Sequence, residues 1–206
     1  MDTLILSGPI GAGKTSAGNI ILDVLSRKGI TSKLVVLDAI GHEVLADDTS
    51  VIRGLVDAFG TRILSPEGEI DRSALAAVAF SSPENTEILN ECTHEKIGER
   101  LLKMRNDFLK SDPEGILVIE CPFPVNALFG YDTFKDIFAT SKVIVLQSRR
   151  ELRVNRKTSL FPEDVMRRDR LQHSKGEYTG DYVVINDGTR DDLVSSLEKI
   201  IEREAR

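Results

Sequence analysis

The stretch GPIGAGKT, residues 8–15, constrains this chain more than any other. It fits G-x-x-x-x-G-K-[ST], with Gly8, Gly13, Lys14 and Thr15 in the fixed places. Gly11 and Gly13 carry no Cβ, so the backbone can curl and aim successive N–H groups inward. Together with the first turn of a following helix, the peptide groups of Ile10, Ala12 and Ser16 complete a concave anion site. Lys14 can bridge β- and γ-phosphates as a point charge, and the Thr15 hydroxyl can coordinate Mg²⁺. The flanks agree: LILS reads as a short buried strand, and SAGNIILDVLSRKG as an amphipathic helix ending at Gly29. At ordinary glycine usage the four fixed positions coincide by chance in roughly one chain in a hundred. The loop implies a nucleoside triphosphate with Mg²⁺. It leaves open what becomes of the γ-phosphate.

Four more apolar runs read as strands: KLVVLD (33–38), ILVIEC (116–121), KVIVLQ (142–147) and DYVVIN (181–186). Unbroken Val, Ile and Leu suggest strands covered on both faces, hence a parallel sheet. Helical patterns alternate with them. The expected class is a doubly wound α/β fold, a five-stranded parallel sheet of the P-loop kinase type in one domain, 1–206. Two connections are too long for plain crossovers. Residues 39–114 read as a helical insertion beside the sheet that would hold an acceptor. Residues 149–178 read as an arginine-rich helix and a lid, with seven arginines and one lysine in the 24 residues from Arg149. A small-molecule kinase needs both, to bring an acceptor in line and to exclude water.

Acids end two of the runs. Ligands of open α/β sheets sit outside the carboxyl ends of the strands. Asp38 is therefore expected at the end of the second strand, beside the loop, where it can take or orient the proton of an acceptor hydroxyl. The competing reading is an N-cap for AIGHEVL. Glu120 is expected to orient the metal ion together with Thr15, against a solvated strand end. Asp38 and Gly41 also complete a D-x-x-G resembling a GTPase switch, but no N-K-x-D-type guanine motif follows. Arg153 and Arg156 stand three apart on one helical face, suited to a transferring phosphoryl group; a solvated charged face is the alternative. His42, His94 and His173 are isolated, and a lone helical histidine is more often structural.

A net charge of −6 without a basic face argues against a nucleic-acid surface. Cys92 and Cys121 read as free thiols in a reducing compartment, and no apolar run reaches membrane-spanning length. A soluble cytoplasmic protein, monomeric or weakly oligomeric, with a small-molecule substrate is the expectation.

The stretch DAIGHEVL…LVDAFGTRILSPEGEIDRSALAAVAFSS…ILNECTHEKI resembles the dephospho-CoA kinases. The shared order is Asp38, Phe59-Gly60, Gly68-Glu69-Ile70-Asp71-Arg72 with Leu75, then Phe80 and His94. The late segment RVNRKTSLFPEDVMRRDRLQ and DYVVIND is similar to that family's arginine helix, lid glutamine and last strand ending in Asn186. The likeness covers nearly the whole chain. It implies phosphorylation of the ribose 3′-hydroxyl of dephospho-CoA, with Asp38 as base and Arg153 or Arg156 on the phosphates. It also implies Arg72, His94 and Pro122 on the acceptor side, and Arg149 and Asn186 beside the nucleotide. Four features depart from the pattern: His94-Glu95 where the family usually has His-Pro, Pro122-Phe123-Pro124-Val125-Asn126 where it usually has Pro-Leu-Leu-x-Glu, a longer first helix and following turn, and lid arginines three apart where the family has about four. A kinase of another nucleoside, nucleotide or small metabolite stays open, as does a non-kinase P-loop ATPase or switch.

Overall fold

The strands stand in the order β2-β3-β1-β4-β5, all parallel: β1 Thr3–Ser7, β2 Ser32–Val36, β3 Ile116–Glu120, β4 Lys142–Gln147 and β5 Tyr182–Ile185. The structure is a computed structural model, and it describes residues 1–157, 161–173 and 176–205; of Arg167, Leu171 and His173 the backbone alone is described. Among these residues the helices are α1 Lys14–Arg27, α2 Leu37–Asp47, α3 Thr49–Phe59, α4 Arg72–Ala79 and α5 Pro83–Ser111. They continue with α6 Asp132–Ala139, α7 Arg150–Arg156, α8 Pro162–His173 and α9 Arg190–Glu204. The fold class is the expected one.

Alternation along each strand divides the core in two. Leu4, Leu6, Val118, Ile144, Leu146 and Val184 face α1 and α9. Ile5, Val35, Leu117, Ile119, Val143 and Val145 face the other way, onto the insertion helices. Val51, Leu55 and Phe59 of α3 and Phe134, Ile137 and Phe138 of α6 belong to that second cluster. The helical insertion is thus a layer sharing a core with one sheet face. Its long member, α5, packs on α2, α3, α4 and α6.

β5 departs from the expectation of strands buried on both faces. It is an edge strand, and Val183 and Ile185 stay 55% and 66% exposed while Val184 is buried. An unbroken apolar run cannot reveal that one side lacks a cover.

The segment SPEGEIDR of the resemblance turns out to be a turn with a cap. Leu64 and Ile70 form an antiparallel bridge, and Gly68 makes the tight turn at φ 87°. The Asp71 carboxylate then accepts from the N–H groups of Ser73 and Ala74 at 2.8 and 3.1 Å, capping α4.

Candidate active site

The site lies along the carboxyl edge of β1, β2 and β3. Leu6, Glu120 and Val36 stand in register across the three strands. Just past that level leave the phosphate loop from β1, the Cys121-Pro122 turn from β3 and Asp38 from β2. β3 separates β2 from β1, so Asp38 is two strands from the loop, roughly 10 Å at ordinary strand spacing. This corrects the expectation that it sits beside the loop. It also corrects the boundary: the second strand stops at Val36, and Leu37 and Asp38 begin α2. The capping alternative fails as well, since the N-cap of α2 is Val36 and no side chain caps it. The Asp38 side chain is 72% exposed, with His42 Nε2 3.8 Å away.

The loop itself is held from several sides. Gly11 has φ 77° and Gly13 φ 96°, both in the left-handed region. A Cβ on Gly11 would collide with the Arg153 carbonyl, and one on Gly13 with the Asn186 amide. Asn186 Nδ2 donates to Ala12 O at 2.9 Å. Both polar groups of the Ile10 backbone are engaged by the lid helices: its N–H donates to Gln172 Oε1 at 2.8 Å, and its carbonyl accepts from Arg153 at 3.1 Å. Helix α1 has no side-chain cap at Gly13 and no acid in its first turn. The N–H groups of Lys14, Thr15 and Ser16 therefore point outward without intrahelical partners, as an anion site requires.

Lys14 is buried at 7% exposure, its ammonium donating to the carbonyls of Gly8 and Pro9 at 2.7 and 3.2 Å. Loss of hydration pulls its pKa from 10.5 down to about 8, against the pull of Glu120, which raises it. A bound triphosphate would supply the missing negative charge. Thr15 Oγ1 donates to Glu120 Oε1 at 3.1 Å, while Glu120 Oε2 is buried with no hydrogen-bond partner among the described residues. A buried carboxylate oxygen with nothing to meet it is a place for a cation.

Of the lid cations, Arg153 differs from the expectation. It is 6% exposed and turned into the protein, where Asp169 of α8 pairs with it at 2.5 and 3.0 Å and Ser148 O accepts at 3.0 Å. A guanidinium buried in this way needs a carboxylate, and the partner lies sixteen residues on, which no helical spacing announces. Arg156 donates to Asn186 O at 2.7 Å and Ser148 Oγ at 3.1 Å. Arg149 pairs with Asp187 at 3.2 Å. The predicted lid, 149–178, is described only in part, since 158–160 and 174–175 lie outside the described residues, as does the His173 side chain.

On the acceptor side, His94 is buried on α5, edge-on to Tyr131 at 4.9 Å between ring centres and tilted against Phe123 at 6.4 Å. The turn carrying Pro122 and Phe123 is tied down. Tyr178 Oη donates to Pro122 O at 3.1 Å, Ser7 Oγ to Phe123 O at 2.8 Å and Cys121 Sγ to the same oxygen at 3.3 Å. Burial pushes the Cys121 thiol up to about 11, so it stays protonated. Arg72, exposed at the start of α4, forms no hydrogen bond or ion pair with another site residue among the described residues. Sequence reasoning missed Asp169 and Tyr178, because neither belongs to a spacing pattern.

A family model described as dephospho-CoA kinase matches residues 3–192. The dephospho-CoA kinase of Corynebacterium glutamicum is 32% identical over 198 residues, spanning 95% of this chain and 94% of that protein. Among solved structures, TT1252 from Thermus thermophilus superposes with a TM-score of 0.69 at 24% identity, covering 98% of this chain and 97% of the other. The dephospho-CoA kinase from Campylobacter jejuni gives 0.58 at 18%, covering 98% and 96%. At those identities the two structures speak for the fold alone. No helix among the described residues is long and apolar enough to cross a membrane. The family match runs through the phosphate loop, the insertion, the lid and the last strand alike; the chain belongs to the dephospho-CoA kinase family.

Proposed function

We propose that the chain transfers the γ-phosphoryl group of MgATP to the ribose 3′-hydroxyl of dephospho-CoA, giving ADP and CoA. The observation that carries the reading is the arrangement of the carboxyl edge. An uncapped helix start and a buried lysine stand at β1, a hydroxyl–carboxylate pair joins α1 to β3, and an exposed aspartate, 3.8 Å from the His42 imidazole, follows β2.

Thr15 and Glu120 are the residues that would hold Mg²⁺, which prefers hard oxygen donors and keeps waters and phosphate oxygens as its other ligands. When bound, the ion neutralises charge on the transferring phosphate. The first-turn amides of α1 hold the phosphates, and Lys14 neutralises part of their charge. Asp38 accepts the proton of the 3′-hydroxyl as its oxygen bonds to the γ-phosphorus, while the bond from that phosphorus to the β–γ bridging oxygen breaks. Asn186 and Arg153 keep the loop in shape, Arg156 braces the end of β5, and Arg149 stands beside the nucleotide. His94, Pro122 and Arg72 serve the acceptor.

The test is incubation with MgATP and dephospho-CoA and detection of CoA by mass spectrometry. CoA formation that requires the protein supports the reading. No CoA, with brisk phosphorylation of another hydroxyl compound, rejects the substrate and keeps the kinase.

A further inference from the structure

The order of the strands puts one turn in the path of the reaction. β3 stands between β1, which carries the phosphate loop, and β2, which leads to Asp38. A hydroxyl that meets both a γ-phosphate held at the loop and the Asp38 carboxylate must therefore lie over the end of β3. The turn through Pro122 and Phe123 leaves the strand there. Pro122 and Pro124 have a fixed φ and carry no N–H, so the turn is stiff in itself and is held from outside through its carbonyls.

Two of the donors to those carbonyls belong to the sheet: Ser7 at the end of β1 and Cys121 just past β3, both on Phe123 O. The third does not. Tyr178 lies in residues 176–180, which lead from α8 back to β5, and its hydroxyl donates to Pro122 O at 3.1 Å. Its ring packs against the core shared with the insertion helices. Burial raises the phenol well above its ordinary 10, so it remains a donor at neutral pH. The same segment meets the turn again at Gly176, whose φ is 128°: a Cβ there would come within 3.3 Å of the Asn126 side-chain amide. Six residues before Tyr178, Gln172 takes the Ile10 N–H, and Asp169 pairs with Arg153, which holds Ile10 O. Between Asp169 and Tyr178 the chain thus grips the phosphate loop at one end and the Pro122 turn at the other.

We propose that Tyr178 is a positioning residue for the acceptor: its hydroxyl fixes the turn over which the acceptor hydroxyl lies, and ties that turn to the segment that also holds the phosphate loop. Tyr178 itself touches neither substrate. With its hydrogen bond in place the turn is ordered before the acceptor arrives, and binding does not have to order it. This role rests on the kinase reading of the site and adds a residue, outside every motif of the sequence, that sets how well the acceptor is received.

The experiment compares Tyr178→Phe with the unaltered protein. Phenylalanine keeps the packed ring and removes the hydroxyl alone; Tyr178→Leu, which also lacks the hydroxyl but keeps apolar bulk, gives the same reading if the first variant is unstable. KM is measured for dephospho-CoA and for MgATP, together with slow MgATP hydrolysis without acceptor and thermal unfolding. The KM for dephospho-CoA is expected to rise roughly fivefold, as for the loss of one neutral hydrogen bond. The KM for MgATP and the hydrolysis rate should change much less, because Gln172 and Arg153 still hold the loop. A merely structural hydroxyl would lower Tm and leave the two KM values in their original ratio. Equal changes in both KM values, or an acceptor KM raised less than about twofold, overturn the proposal. If the unaltered protein makes no CoA, the substrate reading fails by itself, and the same split is read with the hydroxyl compound that it does phosphorylate. A protein that phosphorylates no acceptor overturns both.

Discussion

On the proposed mechanism the phosphate loop and the start of α2 serve one reaction, and they are built in opposite ways. The loop is held through Ala12 by Asn186 and through both polar groups of the Ile10 backbone by α7 and α8. Asp38 stands on the other side of β3 with an exposed carboxylate that caps nothing. The difference matches the two substrates. A triphosphate presents the same charges at every turnover, so donors fixed in advance cost no reorganisation when it reacts. A hydroxyl arrives on a bulky acceptor, and its place is set by what the acceptor binds elsewhere. An aspartate that meets it gains nothing from being tied to protein.

Four measurements would break or sharpen this contrast. Asp38→Asn should lower kcat by about 10²–10⁴-fold, the ordinary range of acid–base help, and leave Tm and ATP affinity unchanged because nothing in the fold leans on the carboxylate. A clear fall in Tm would show that Asp38 is structural after all. Lys14→Met should cost about 10²–10³-fold in kcat without destabilising the unliganded protein, since it removes a buried charge that water would rather hold; calorimetry checks the second half.

The third measurement is pH. In the empty protein Lys14 is charged below a pKa of about 8, and bound phosphate raises that value. Binding near pH 8 must therefore take up protons, visible in titrations run in buffers of different ionisation enthalpy. ATP affinity should be flat below that pH and fall by up to about tenfold per unit above it. The stability of the empty protein has the opposite sign. Between pH 8 and 10.5 the unfolded chain binds this proton and the folded one does not, so Lys14 makes stability rise with pH across that window. Affinity that is level from pH 7 to 10 would mean that Lys14 keeps its charge in the empty site. The smallest effect belongs to Asn186→Ala. Losing the bond to Ala12 O should cost about 1 kcal/mol, or roughly fivefold in ATP affinity, with kcat nearly intact. A larger effect on kcat than on affinity would show that the loop is not preset.

The phosphate loop and the family were legible in the sequence, and the place of Asp38 and the partners of the lid arginines were not, for reasons of the same kind. The loop has fixed spacing because its curl is local, and its strand and helix follow within thirty residues. β3 and β4 declare themselves by unbroken apolar runs. Nothing in KLVVLD separates a strand that ends at Val36 from one that ends at Asp38, because Leu37 is buried either way. Strand order is not written locally either, and it is the order that puts β3 between Asp38 and the loop. The arginines of α7 look alike in the chain, yet their fates depend on distant residues: Asp187 for Arg149, Asp169 for Arg153 and Asn186 for Arg156. His94 stood out only through the resemblance, and its ring contacts with Phe123 and Tyr131 join parts of the chain about thirty residues apart or more.

The buried pair of Arg153 and Asp169 reaches into inheritance. Losing Asp169 strands the Arg153 charge out of water, typically at 3–5 kcal/mol, a large share of what holds an ordinary domain together; losing Arg153 leaves the buried Asp169 with the longer contact of Arg150 at 3.4 Å. Neither position can drift by single steps. Among descendants of this gene the two should be kept together or exchanged together, so that sites sixteen residues apart in the chain behave as one character.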